Sequence, residues 1–378
     1  MSIYLDNAAT TPLTDDVKEY IISLLDTYQN PSSVYDSGRK TREIIEHARE
    51  NVAGFINADK NDILFTSSGS ASNTLAIKGL IPCNPFQDKY FVFYSPTAHK
   101  SMIESCKSCA YHLPLPVNQF GEIDIDCIDE IFKKYLYGNH PIPVVCVEYA
   151  NSEIGSINDI VLLSNLVHER NGILIVDATG YIPYFPIDMD TLKKHIDILT
   201  FSGHKLHSLK GVGVLYKRSG IKLRPLIYGT QENGIFAGTE NVLGIASLGK
   251  AVEKYDYSVL YIEPKRNYLY NQIIRKIPNC HIIGRQYHRL PCNLYMCFKG
   301  VEGESLMFML DLNGIEVSTG SACLSGDLSP SPTLLAINMP DDEIHSCIRI
   351  TLNGSEGYKT LDHVADKLSE CVKVLREK

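Results

Sequence analysis

Four short apolar runs, spaced by helical segments, constrain this chain most. Asn61–Thr66, Tyr90–Tyr94, Pro143–Val147 and Gly172–Asp177 all read as strands. Between and around them lie helical patterns. Residues from Asp15 through Leu25 have helical spacing, Arg39–Phe55 carries Ile44, Ile45, Ala48 and Val52 on one side, and Ile160–Arg170 is amphipathic. Strands alternating with helices predict an α/β fold with a mainly parallel sheet and its ligand site at the carboxyl ends of the strands. Gly211–Tyr216 is expected to return as an antiparallel strand. Beyond Gly229 the texture changes to a loop, a largely helical stretch from Asn241 to Lys276, and then shorter strands and helices. A large domain over residues 13–245 and a smaller C-terminal α/β domain over residues 246–378, joined by the N-terminal segment 1–12, is the expected division.

The chemistry gathers where those strands end. Asp177 closes an apolar strand and so delivers a carboxylate to the sheet edge. Lys205 closes Thr200-Phe-Ser-Gly-His-Lys205, a polar, glycine-containing turn expected after Asp197-Ile-Leu. A lysine is usually a solvated surface charge. Beside Asp177 it fits a Schiff-base lysine paired with an aspartate that holds a pyridinium nitrogen, as pyridoxal phosphate (PLP) chemistry requires. Ser67-Ser-Gly-Ser-Ala-Ser72 lies between a strand and a helix expected around Leu75–Gly79. Its backbone N–H groups make an anion cradle, with phosphate as the leading ligand and a plain capped helix as the bland alternative. His99 follows the Tyr90–Tyr94 strand and joins the same cleft if the sheet is parallel. Cys323 sits among serines and glycines, a context that favours an exposed, reactive thiol over inert packing. Arg349 lies inside an apolar strand and needs an anionic partner, either a substrate carboxylate or a structural salt bridge.

Composition excludes several classes. Apolar residues make up 44% of 378, enough for a sizeable core. The net charge of −8 without basic clusters argues against a nucleic-acid partner. No apolar run approaches the roughly 18 residues that span a bilayer, and the N-terminus carries no export pattern. Eleven scattered cysteines are then expected as reduced thiols in a cytoplasmic protein. Cys106 and Cys109 are expected on one helix face, and no second Cys/His pair has metal-ligand spacing.

Taken together these residues resemble the cysteine desulfurases that feed iron–sulfur cluster assembly, within the fold-type-I PLP enzymes of the class-V aminotransferase group. The likeness runs from Tyr4-Leu-Asp-Asn-Ala-Ala-Thr-Thr-Pro12 to Arg349. It rests on Asn30-Pro-Ser-Ser33, Thr97-Ala-His-Lys100, Glu153-Ile-Gly155, Asp177-Ala-Thr179, Ser202-Gly-His-Lys205, Gly238-Thr-Glu-Asn241, Val301-Glu-Gly-Glu-Ser305 and Ser318-Thr-Gly-Ser-Ala-Cys323. The resemblance implies that Lys205 holds PLP as a Schiff base, Asp177 keeps its ring nitrogen protonated and His99 stacks on the ring. Gly69, Ser70, Ser202 and His204 would bind the phosphate, with Thr239 reaching over from a second subunit of a homodimer. Ser152 would lie beside the ring's phenolic oxygen. Arg349 and Asn7 would bind the substrate L-cysteine. Cys323 would take its sulfur as a persulfide, leave alanine, and pass the sulfur to an acceptor or scaffold protein.

Departures from that pattern are specific. Ala71 stands where the family has Glu, Ser152 where it has Asn, and Gly180 where it has Gln. Asn233 and Phe236 replace arginines, Asn353-Gly354 replaces Gly-Arg, and Tyr35 replaces His. Losing two hydrogen bonds to the phenolic oxygen is expected to alter the cofactor's electronics. Two other readings therefore stand beside cysteine desulfuration. One is a PLP lyase acting on selenocysteine, cysteine sulfinate or another small amino acid. The other is a non-catalytic relative acting as a partner protein.

Overall fold

Every second residue of the central strands faces one core and its neighbours face another, which is how a sheet covered on both sides is built. The computed structural model describes residues 2–81, 89–136, 142–257, 259–320 and 330–377. Along the first part of the chain run β1 (Ile3–Tyr4), α1 (Asp15–Ser23), α2 (Asp36–Phe55), β2 (Ile63–Thr66), α3 (Gly69–Leu80), β3 (Tyr90–Tyr94), α4 (Lys100–Lys107) and β4 (His112–Pro114). Then come α5 (Ile125–Tyr135), β5 (Ile142–Glu148), α6 (Ile160–His168), β6 (Ile173–Asp177), α7 (Met189–Leu192), β7 (Ile198–Ser202), β8 (Gly213–Lys217) and α8 (Val242–Glu253). The remainder holds α9 (Val259–Lys276), β9 (Cys280–Ile282), β10 (Asn293–Phe298), α10 (Gly303–Leu312), β11 (Ile315–Glu316), α11 (Pro332–Ala336), β12 (Cys347–Thr351) and α12 (Tyr358–Arg376).

Strands β2-β8-β7-β6-β5-β3-β4 form one sheet in that order. From β7 through β6, β5 and β3 to β4 every pairing is parallel, while β8 runs antiparallel to both β2 and β7. Val145, Val147, Leu174, Val176, Leu199 and Phe201 face one core. Val144, Cys146, Ile175 and Ile198 face the other. The α/β architecture with a mainly parallel sheet and an antiparallel return strand is as expected. Two boundaries differ. Strand β7 continues through Thr200 and Phe201 to Ser202, because all of these are buried and paired, so only Gly203–Lys205 turns. Helix α3 starts at Gly69, not near Leu75, because the Ser68 side chain caps it by accepting from Ala71 N–H at 3.1 Å. Strand β4 and helix α5 were not predicted.

A second, antiparallel sheet β12-β10-β9 carries its own core. Leu294, Met296, Phe298, Ile348 and Ile350 pack there against Leu361, Val364 and Leu368 of α12. The N-terminal segment belongs to this side: β1 pairs in parallel with β11, and Thr351 N–H donates to Leu5 O at 2.7 Å. Helix α8 crosses the expected boundary at 245/246, and its Ile245, Leu248 and Val252 lie in a core of the large sheet. There α8 meets α2 so closely that a Cβ on Gly249 would lie 2.5 Å from the Ala48 Cα. Gly249→Ala gains up to about 1 kcal/mol of helix propensity, but that contact forces the two helices apart. A net loss of about 1–3 kcal/mol is expected, read as a lower urea midpoint at constant m-value. An unchanged midpoint would mean the close approach carries no stability.

Candidate active site

Strands β6 and β7 run side by side with Asp177 opposite Thr200, so their carboxyl ends emerge together. Asp177 is the last residue of β6, and Lys205 lies in the tight turn that follows β7. Parallel pairing thus brings two residues 28 positions apart to one sheet edge. The Lys205 Nζ has no hydrogen-bond partner among the described residues. Burial pushes its amine down to about 8, the Arg349 guanidinium acts the same way, and the Asp177 and Asp6 carboxylates oppose them. Four charged groups therefore share this corner.

Asp177 is held on both oxygens. Thr179 N–H donates to Oδ1 at 2.9 Å, and Asn73 Nδ2 donates to Oδ2 at 2.8 Å. Asn73 also donates to Ser101 Oγ at 3.1 Å and accepts from Thr200 Oγ1 at 2.5 Å. Sequence reasoning missed Asn73. The available signal was a polar residue of low helix propensity inside a helix, at a position that is fully buried.

His99 caps α4. Ser101 N–H donates to its Nδ1 at 3.2 Å, so the neutral ring carries its proton on Nε2. The residue shows an exposed face to the cleft while protein crowds its ring. That desolvation holds the imidazole below its ordinary value, with Asp177 opposing and Lys205 adding to the shift. The turn bearing His99 is fixed from behind. Thr97 Oγ1 donates to the buried Glu148 Oε1 at 2.5 Å, and Asn151 Nδ2 donates to Thr97 O at 2.7 Å. Burial raises the Glu148 carboxyl to about 7.

The expected anion cradle has the right parts. The start of α3 abuts the end of β7 so tightly that a Cβ on Gly69 would lie 3.0 Å from Ser202 Cβ. Ser70 is exposed at the first turn, and Ser202 is buried. His204 Nδ1 lies 3.0 Å from Thr10 Oγ1, and burial followed by Lys205 and Lys210 pushes its imidazole down to about 4. It is therefore a neutral donor at physiological pH, not a cation.

On the opposite side, Arg349 is buried and does have an anionic partner. Its Nη2 lies 2.9 Å from Asp6 Oδ1, and Nη1 donates to the Ser152 carbonyl at 3.3 Å. Its Nε and the Asn7 Oδ1 are both buried without a partner among the described residues. A donor and an acceptor left over beside a buried amine suit an amino-acid substrate. Ser152 itself lies in the turn after β5. Gly180 presses on the Ala150 carbonyl: a Cβ there would lie 2.6 Å from that oxygen.

Cys323 lies outside the described residues, but both flanks of its segment meet at Glu153. Tyr295 O–H bridges toward Glu153 Oε1 at 3.2 Å and Thr319 O at 3.1 Å, and Ser331 Oγ donates to Glu153 Oε2 at 2.8 Å. Thr239 is exposed, and no hydrogen bond among the described residues ties it to this cluster. Cys106 lies in α4 and Cys109 just past its end, both buried as packing residues. A polar cavity of about 370 Å³ opens elsewhere, beside the 2.7 Å Arg49–Glu232 ion pair, and shares no residue with the Lys205 corner.

The aminotransferase class-V family matches residues 3–362. A cysteine desulfurase IscS from Dictyoglomus turgidum is 38% identical over 384 residues, covering 99% of this chain and 95% of that protein. A cysteine desulfurase from Nostoc sp. is 38% identical over 387 residues, covering 99% and 94%. Among solved structures, a NifS-like protein superposes with a TM-score of 0.88 at 28% identity, over 99% of this chain and all of the other. A NifS-like protein from Rickettsia africae gives 0.87 at 27% identity, with full coverage of both.

Proposed function

Because the chain belongs to the aminotransferase class-V family, we propose that it is a PLP-dependent cysteine desulfurase, converting L-cysteine to L-alanine and capturing the sulfur on Cys323. The observation that carries this reading is a desolvated amine, Lys205, beside a carboxylate, Asp177, held on both oxygens at one sheet edge.

The residues fit the cofactor. When bound, PLP supplies an aldehyde that an amine can condense with and a protonated ring that draws electrons from the substrate's α-carbon. Lys205 would hold it covalently and would move a proton at the substrate's α-carbon. Asp177 would retain the proton on its ring nitrogen. His99 would help hold it and would present Nε2–H for proton transfer. Gly69, Ser70, Ser202 and His204 would take its phosphate with neutral donors and the start of α3. Ser152 would serve its phenolic oxygen. Arg349 would take the substrate carboxylate, with Asp6 sharing the guanidinium, and Asn7 would offer its free Oδ1 to the substrate's amino group. The Cys323 thiolate forms an S–S bond to the substrate sulfur as the C–S bond breaks, and the carbon takes up a proton to become alanine.

Several further parts belong to this proposal. A large domain and a small C-terminal one, joined by the N-terminal segment, are supported by their separate cores and the β1–β11 pairing. A homodimer is supported by the exposed apolar side chains of Leu25, Tyr28, Val34, Tyr35, Ile227 and Tyr228. In it Thr239 serves the phosphate of the other copy. Transfer to a scaffold for iron–sulfur assembly, in the cytoplasm, completes the reading. No helix among the described residues is long and apolar enough to cross a membrane.

Purified protein is expected to be yellow, absorbing at roughly 390–420 nm, and to change spectrum on adding cysteine. Cys323→Ala is expected to lower alanine formation, without added thiol, by about 100-fold or more while leaving the colour intact. Undiminished turnover in that variant would remove the persulfide route. Selenocysteine or cysteine sulfinate turned over far faster than cysteine would move the assignment to a lyase.

A further inference from the structure

Along the small sheet from Arg349, three different donor side chains converge where that sheet meets the turn before β12. His281 of β9 is paired with Cys297 of β10, which is paired in turn with Cys347 of β12. Phe298 N–H donates to Ser346 O at 2.8 Å, so the adjacent Cys297–Cys347 pair is a non-hydrogen-bonded one, where side chains approach most closely. Glu343 enters from the turn at 340–343. Its Oε2 lies 3.2 Å from His281 Nε2 and 3.8 Å from Cys297 Sγ. All three donor atoms lie within 4.8 Å of one another.

The two separations at Glu343 are ones a metal would need. Zinc bonds of about 2.0–2.3 Å to N, O and S in a tetrahedron set neighbouring donors roughly 3.3–3.8 Å apart. An imidazole, a thiol and a carboxylate also form a donor set that suits zinc. The carboxylate is already aimed. Lys299 Nζ holds Glu343 Oε1 at 2.5 Å and leaves Oε2 turned toward the imidazole and the thiol, as outer-shell partners do around metal ligands. The Cys347 thiol donates to the Glu343 backbone O at 3.6 Å and lies outside this three-donor set. Cys297 is fully buried, while the His281 side chain is 42% exposed and gives a metal its way in.

We propose that His281, Cys297 and Glu343 bind one zinc ion, with water in the fourth position. The site would pin β9 and β10 to the turn at 340–343. It stands apart from the proposed reaction and does not depend on it. Sequence spacing hides it because the three donors come from three separate segments, brought together by strand register and one turn.

The test uses PLP-loaded protein carrying Cys323→Ala, which removes the thiol expected to be reactive from the background. After dialysis against a chelator, one equivalent of Zn²⁺ is expected to bind tightly and to raise the melting temperature. Co²⁺ in its place is expected to show thiolate-to-cobalt charge transfer and tetrahedral ligand-field bands. Cys297→Ser should remove the charge-transfer band. His281→Ala, at a partly exposed position, and Glu343→Gln should each weaken binding by about 10- to 100-fold and reduce the thermal shift. If Cys297→Ser does not fold, the His281 variant still decides. Binding below about a tenth of an equivalent, no thiolate band, or a zinc affinity unmoved in His281→Ala would each overturn the proposal and leave a plain ion-pair cluster around Glu343.

Discussion

Lys205→Ala is expected to abolish cysteine turnover, by about four orders of magnitude or more, and to bleach the protein's colour. The effect follows from where the amine sits. Burial disfavours the ammonium form, and Arg349 disfavours it further, so the pKa falls to about 8. Lowering a lysine pKa raises the neutral fraction at a given pH, and the neutral amine is the nucleophile. At pH 7 about one amine in ten is then unprotonated, against fewer than one in a thousand for a solvated lysine. Loading of cofactor-free protein by PLP should therefore accelerate about tenfold per pH unit well below pH 8 and level off above it. Stopped-flow absorption measures both. Lys205→Arg, whose side chain cannot deprotonate in this range, should behave like Lys205→Ala. A flat loading rate between pH 6 and 8, or a Lys205→Ala variant within tenfold of wild type, would contradict the assignment.

The second-largest effect belongs to Asp177. Asp177→Asn keeps the shape and removes the charge opposite the ring nitrogen. A loss of about 10²- to 10³-fold in kcat is expected, comparable to removing a directed electrostatic stabiliser elsewhere. Asn73→Ala should follow the same direction with a smaller size. It deletes one hydrogen bond to an ionised carboxylate, worth about 1.5–3 kcal/mol, or about 10- to 150-fold. Asn73 touches Asp177, Ser101 and Thr200 and no reacting atom, so it is a positioning residue. A purely structural role would lower the melting temperature alone. A positioning role also shifts the pH at which the bound cofactor's absorption changes, and lowers kcat more than it raises KM. If Asn73→Ala loses stability without moving that spectrum, the positioning role fails.

What could be read before any coordinates depended on sequence distance. Asp177 and Lys205 were legible because each terminates a local pattern, an apolar run or a glycine turn, and parallel pairing then does the rest. The start of α3 was misplaced because serines and glycine read as a turn, although Ser68 was already a competent cap. Arg349 announced that it needed an anion. That the anion includes Asp6 depends on the N-terminal segment docking beside β12 from 343 positions away, and no local periodicity encodes that. The same holds for the union of His281, Cys297 and Glu343. Cys323 stood out by its neighbours alone, while the grip of Glu153 on both flanks of its segment emerges only from the folded chain.

The crowding at Gly180 bears on how this chain can change. With the Ala150 carbonyl in the space any side chain would claim, placing a glutamine here by one substitution would meet a steric wall before gaining a hydrogen bond. The backbone after β5 would have to withdraw first, through alterations that bring no advantage alone. Mutational routes back toward the common pattern are thus closed in one direction.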